Sequence, residues 1–283
     1  MQSPSMNPLA KHFRQPAINI ALPSKGEYWP DGSIEIPLTG EIPVYPMTTR
    51  DEITIRTPDA LLNGEGIVSI IQSCCPNIKD AWKMPSIDVD ATLIAIRIAS
   101  YGQEMDIDST CTNDKCNHEN RHGLDLSMLL SGIKAPNYNT PIEINGLKIK
   151  LRPQSYFENN KTNMSNFEEQ RVMQVINDDS ITDDVKVIKF KEHMNKLIDI
   201  NINIITAGTE YIEVDGEQVD NPEFIKEFYS SADGKVVRTV RDQFDEYAKQ
   251  AQLPTHKVFC EECSNEYSVE VTFNYVNFFA AAS

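Results

Sequence analysis

The sequence predicts an α+β fold: a β-rich N-terminal part with buried helices, closed by a split zinc-ribbon-like four-cysteine site, with a mostly helical insertion between the two Cys pairs. Three observations lead there. Short alternating stretches punctuated by Pro, Gly and Asp fill the first 46 residues, the pattern of strands joined by turns. Two segments that follow, residues 61–71 and 89–101, are apolar around most of a helical circumference, which suits a buried helix and not a surface one. Finally, Cys111-x4-Cys116 and Cys260-x2-Cys263 stand far apart, each followed by a run that reads as an extended strand, with helical periodicity between them.

Taken in order, residues 1–16 contain Pro4, Pro8 and Pro16 and no apolar stretch of leader length, so a flexible N-terminal arm is expected. Residues 17–22 alternate and run into the turn cluster Pro23-Ser24-Lys25-Gly26. Asp31-Gly32 and Thr39-Gly40 then set off two extended pieces, 33–36 and 42–45, and the whole reads as a small antiparallel meander. Residues 46–52, polar and charged, read as a structural junction or contact surface. A helix is expected from near Asp59, behind Pro58, carrying Leu61, Leu62, Ile67, Val68, Ile70 and Ile71, with Gly64 and Gly66 allowing another backbone to approach. Cys74 and Cys75 at its end read as small buried hydrophobes. The next helix takes Asp88 as N-cap and Gly102 as stop. It embeds Arg97, whose charge needs an anionic partner; Asp51 or Glu52 is the expected one.

Asn145-Gly146 between alternating apolar residues predicts a hairpin over 141–151. Beyond it Val187, Phe190, Met194, Leu197 and Ile198 recur at helical spacing, Asn221-Pro222-Glu223 opens a second helix, and Val237, Val240, Phe244, Tyr247 and Ala251 stripe a third. A short hairpin about Asp215-Gly216 interrupts them. Asp178, Asp179, Asp183 and Asp184 read as a solvated loop and helix start, where carboxylates suit the dipole; the spacing of an EF-hand loop is absent. The expected division is an arm at 1–16, an α+β domain at 17–154 plus 255–283, and a mostly helical insertion at 155–254.

The chemistry sits in the cysteines. Two short pairs on facing hairpin tips supply the four ligands that structural zinc takes in a tetrahedron, so Cys111, Cys116, Cys260 and Cys263 are the expected ligands. The usual gap between such pairs is roughly 15 to 20 residues; here the insertion separates them, and the metal would clamp the C-terminal hairpin onto the middle of the fold. His118 and His122 lie close enough in sequence to replace a cysteine, and buried free thiols or two local disulfides are the alternatives to a metal. A reducing compartment favours ligands over disulfides.

Lys and Arg number 26 against 42 Asp and Glu, a net charge of −16, which repels phosphate backbones and anionic membranes. Glu261, Glu262 and Glu266 flank the second pair. The longest apolar run, 93–99, is interrupted by Arg97 and far too short to span a bilayer. No nucleic-acid partner and no membrane insertion are expected, and the chain reads as soluble and intracellular when made. Phosphate-binding glycine loops, zinc-protease and nucleophile-elbow motifs are missing, and the five histidines are scattered; no enzyme activity is expected.

Four segments carry a resemblance: Leu22-Pro23-Ser24-Lys25-Gly26; Tyr45-Pro46-Met47-Thr48-Thr49-Arg50-Asp51-Glu52; Pro58-Asp59-Ala60-Leu61-Leu62-Asn63-Gly64; and Ile96-Arg97-Ile98-Ala99-Ser100-Tyr101-Gly102, followed by the first Cys pair. In that order they resemble the baseplate hub and hub-assembly proteins of contractile-tailed, T-even-type bacteriophages, over residues 17–130. The resemblance implies a structural or assembly subunit that binds other baseplate and tail proteins in a hetero-oligomeric complex. It would act in the host cytoplasm during assembly and reside in the virion tail baseplate. Two other classes compete: a zinc-ribbon nucleic-acid-binding viral regulator, which the acidity opposes, and a tail-associated cell-wall hydrolase, for which only scattered acids speak.

Overall fold

The structure is a computed structural model and describes residues 9, 12–57, 64–165, 183–271 and 278–279. The expected helix start near Asp59, with Leu61 and Leu62, and the acids Asp178 and Asp179 lie outside the described residues.

Strand β1 (Ile18–Ile20) pairs antiparallel with β2 (Ile42–Val44), Ile18 opposite Val44 and Ile20 opposite Ile42. The pleat puts Ile20, Ile42 and Val44 into the core. The expected meander does not form between them: Ile34 makes a lone bridge to Ile78, and residues 23–28 turn. The middle piece is taken up elsewhere: the Glu35 N–H donates to Asn77 O at 2.9 Å and the Lys79 N–H to Ser33 O at 2.8 Å. The turn before it encloses a buried acid, Asp88, which accepts from the Ser24 backbone N–H at 2.8 Å, the Ser24 hydroxyl at 2.5 Å and Trp29 Nε1 at 2.8 Å. Asp88 is accordingly not the N-cap. Helix α3 (Ser86–Tyr101) starts two residues earlier, behind Pro85, and turns Asp88 inward from its first turn.

The segment read as a polar junction contains helix α1 (Thr49–Ile55). Thr48 and Asp51 cap it reciprocally, the Asp51 carboxylate accepting the Thr48 N–H at 2.7 Å and the Thr48 hydroxyl accepting the Asp51 N–H at 3.4 Å. Helix α2 (Glu65–Cys74) leaves Gly64, whose φ of 81° suits glycine, and buries Ile67, Val68, Ile70 and Ile71. Arg14, inside the segment expected to be a free arm, is fastened here. It donates to Pro46 O and Ser73 O, both at 2.7 Å, and pairs with Asp51 at 3.4 Å. That contact displaces the expected Arg97 pair, since Asp51 is occupied and Glu52 instead accepts from the Tyr101 hydroxyl at 3.2 Å. Arg97 lies between aromatic faces, 5.5 Å from the Tyr101 ring centre and 5.3 Å from that of Phe278. Its Nε and Nη1 find no acceptor among the described residues, so cation–π attraction replaces an ion pair while burial pulls the guanidinium pKa down.

Helix α4 (Leu126–Gly132) follows two strands described below and, with α3, closes this first core, into which Val271, Phe278 and Phe279 also pack. The C-terminal end therefore returns to the part of the fold that the N-terminal half builds.

A second core lies under a four-stranded antiparallel sheet. Strands β5 (Ile142–Ile144), β6 (Leu147–Leu151), β7 (Thr209–Val214) and β8 (Glu217–Val219) pair in that order. Both tight turns are Asn-Gly or Asp-Gly with positive φ at each residue, 52° and 80° at 145–146 and 51° and 84° at 215–216. The sheet spans the sequence position expected to divide two domains: β6 needs a partner for its inner edge and finds it in β7, with Ile149 and Leu151 buried against Ile205 and Ile212. Helices α5 (Asp183–Ala207), α6 (Pro222–Ser231, capped by Asn221) and α7 (Gly234–Gln250, capped by Asp233) complete this core through Ile205, Ile225, Tyr229, Val236, Val240 and Tyr247. The periodic stripe that identifies α5 is not its buried face along the whole length: Val187, Phe190, Met194 and Ile198 are exposed.

Candidate metal centre

Strands β3 (Glu104–Thr110) and β4 (Glu119–Asp125) pair from Glu104↔Asp125 to Thr110↔Glu119, and β9 (His256–Phe259) pairs with β10 (Glu266–Val269). Each hairpin ends in a cysteine-bearing turn, and the two turns follow one plan. In the first, the Cys111 N–H donates to His118 O, the carbonyl two residues beyond Cys116, at 2.9 Å. In the second, the Cys260 N–H donates to Asn265 O, two residues beyond Cys263, also at 2.9 Å. The residue after each second cysteine is left-handed, Asn117 at φ 48° and Ser264 at φ 57°, which reverses the chain and points both thiols of a pair to one side.

The four sulfurs meet. Cys111 Sγ lies 3.7 Å from Cys263 Sγ and Cys116 Sγ 3.8 Å from Cys260 Sγ, and all four fall within 4.8 Å of one another. Four sulfurs at about 2.3 Å from a common centre, the zinc–thiolate bond length, stand about 3.8 Å apart along the edges of a tetrahedron. The separations fit a closed four-sulfur ion site, and all six cysteines stand as free thiols in the structure. Cys111 and Cys260 are buried, Cys116 is half-buried and Cys263 is exposed. Val258 and Tyr267 pack beneath the cluster.

The thiols differ electrically. Burial pushes Cys260 up, but the N–H groups of Cys263 and Glu262 and the neighbouring Cys111 thiol outweigh it and bring the thiol down to about 6. At Cys116 the His118 N–H pulls down, yet burial and the neighbouring thiols of Cys263 and Cys260 prevail and push it up to about 12. Cys111 is raised too, against the N–H of Asn113. Four thiols this close cannot all ionise unaided, and a cation among them is what would let them do so together.

The cysteines are the residues that come together. His118 contributes its backbone carbonyl, and the His122 ring lies against Tyr267, its Nε2 3.3 Å from the phenol oxygen. Sequence reasoning missed the polar residues behind the sulfurs. Asn120 and Tyr267 each stand four residues after the second cysteine of their pair, and that matched spacing was the available signal. Cys74 and Cys75 lie elsewhere, in the first core, and burial pushes Cys74 up to about 12 and Cys75 higher still, which makes them poor nucleophiles. A cleft between the two large cores is lined by Asp90, Arg152, Tyr138, Phe244 and Asp245 among others, with no histidine or cysteine among the described residues of its wall.

Compared with models of known families, residues 17–280 match the one described as T4 bacteriophage base plate protein. The match runs through the helical part that the resemblance at 17–130 leaves uncovered. No curated protein and no solved structure matches the chain significantly.

Proposed function

The chain belongs to the family of T4 bacteriophage base plate proteins, and from that premise we propose that it is a structural or assembly subunit of the baseplate hub that works by binding other baseplate proteins. The family match over nearly the whole chain carries this reading. The residues add to it: what chemistry they concentrate is a set of thiols suited to holding a fold together, and not a nucleophile with a base. On the same reading the chain has no enzymatic activity, meets its partners in the host cytoplasm during assembly, and resides in the tail.

Zinc is the proposed occupant of the four-thiol site, through Cys111, Cys116, Cys260 and Cys263. An all-thiolate tetrahedron selects zinc or iron, and a closed site without an open ligand position is the structural form of zinc. Its role would be to tie the C-terminal hairpin to β3 and β4. We further propose three functional parts, an arm at 1–16, an α+β domain from 17–154 with 255–283, and the mostly helical 155–254, with the 142–151 hairpin serving as the shared seam.

The test is genetic and biochemical. Tagged chain isolated from infected cells should co-purify with baseplate proteins, and phage lacking it should accumulate heads and baseplate intermediates without complete tails. Normal tails assembled in its absence would refute the role.

A further inference from the structure

We infer that Asn120 is the residue that positions the two cysteine turns against each other, so that the four sulfurs are already arranged before an ion arrives; this rests on the reading that the cysteines hold a metal. Asn120 is 3% exposed, lies on β4 and is not a ligand. Its amide nevertheless touches both turns. Nδ2 donates to His118 O at 3.0 Å, the same carbonyl that receives the Cys111 N–H. The second Nδ2 hydrogen goes to the Tyr267 hydroxyl at 3.1 Å, on the opposite hairpin. Oδ1 accepts the N–H of Glu261, the residue following Cys260, at 2.9 Å. One planar group therefore fixes the backbone of both turns, using both donors and one acceptor position.

Tyr267 completes the link from the other side. Its hydroxyl also meets Ser109 Oγ at 2.8 Å and His122 Nε2 at 3.3 Å, so three side chains of the β3–β4 hairpin converge on one phenol of β10. Since Asn120 and Tyr267 occupy equivalent places in the two hairpins, the bond between them lies where the two similar halves meet. Bonds around a metal's ligands fix their orientation, and losing such a bond typically costs 10 to 100-fold in metal affinity. Asn120 differs from most such groups in bonding the backbone of the turns, and so sets where the sulfurs stand.

The test uses the full-length protein and Co(II), whose absorption reports tetrahedral thiolate ligation. Wild type and the variants Asn120→Ala and Tyr267→Phe are titrated in competition with a chelator, well below their melting temperatures, beside a control destabilised in the first core, Ile96→Val. Asn120→Ala should keep the four-thiolate spectrum but bind about 10 to 100-fold more weakly, and Tyr267→Phe about tenfold more weakly; Ile96→Val should bind as wild type does. Wild-type affinity in Asn120→Ala overturns the proposal. If that variant does not fold, wild-type affinity in Tyr267→Phe overturns it instead. A wild-type protein that binds no cobalt refutes the metal reading beneath it, which separates the two failures.

Discussion

At the scale of single residues, the buried acids shape the N-terminal half. Asp88 shows no exposed surface and is raised by burial from 3.8 to about 6, against the bonds from Ser24 and Trp29 that favour its charge. The folded protein thus holds a proton in a pH window where the unfolded chain has released it. The sign follows from that: the stabilisation is complete below about pH 4 and is lost as pH rises through about 6, for a total of about 3 kcal/mol. Urea denaturation of wild type and Asp88→Asn across that range should show wild type losing about that much relative to the variant, whereas a constant difference would mean that Asp88 titrates normally. Arg14 makes a second case. It answers two carbonyls and Asp51, so Arg14→Ala should lower stability by about 2 kcal/mol and speed proteolysis ahead of β1. Neither residue was legible in the sequence, because a carboxylate at a helix start looks like a cap and an arginine among prolines looks like a tail. What decides each is a partner more than thirty positions away.

At the scale of elements, local signals were followed wherever the element could satisfy itself. The Asn-Gly and Asp-Gly turns, the Asn221-Pro222 helix start and the Gly102 stop form where their own dihedrals and caps demand. Helix α1 had a readable mark as well, the Thr48-x-x-Asp51 capping pair, obscured by the charge of its first turn. The meander failed because its middle piece, 33–36, bonds to residues 77–80 and not to β1 or β2. Helix α5 separates pattern from burial: Ile205 is 2% exposed while Phe190 is 47% and Met194 41% exposed, though all belong to one periodic helix. Ile205→Ala should accordingly cost about 2 to 5 kcal/mol by opening a cavity in the second core. Phe190→Gln should change stability by less than about 0.5 kcal/mol. Thermal melts of the two variants check this, and a large loss in Phe190→Gln would show that its face packs in solution.

At the scale of the whole molecule, the four cysteines were the most legible part of the candidate site, because spacing within each pair defines a turn whatever lies between the pairs. The depth of the arrangement was barely legible: Asn120 and Tyr267 share only their place four residues after a cysteine, Ser109 has no motif, and all three gain meaning when the hairpins face each other. Of the fold, the second core's reach back to β5 and β6 escaped notice, since pairing between distant strands leaves no local trace. Among the described residues the three clusters of buried side chains differ in size, with the cysteine cluster the smallest, so an ion there should matter most locally. Chelation should raise hydrogen exchange in β3, β4, β9 and β10 and leave β6 and β7 protected; uniform loss of protection would instead make the ion the keystone of the entire chain. Binding should also weaken in acid, as thiolates take up protons. The most direct test of the central claim, that these four cysteines hold a zinc ion closing the fold, is the metal content of protein purified without chelator. The account predicts one zinc per chain, reduced to none in the Cys111→Ser, Cys260→Ser double variant; metal-free wild-type protein with all four thiols reactive and its fold intact would contradict it.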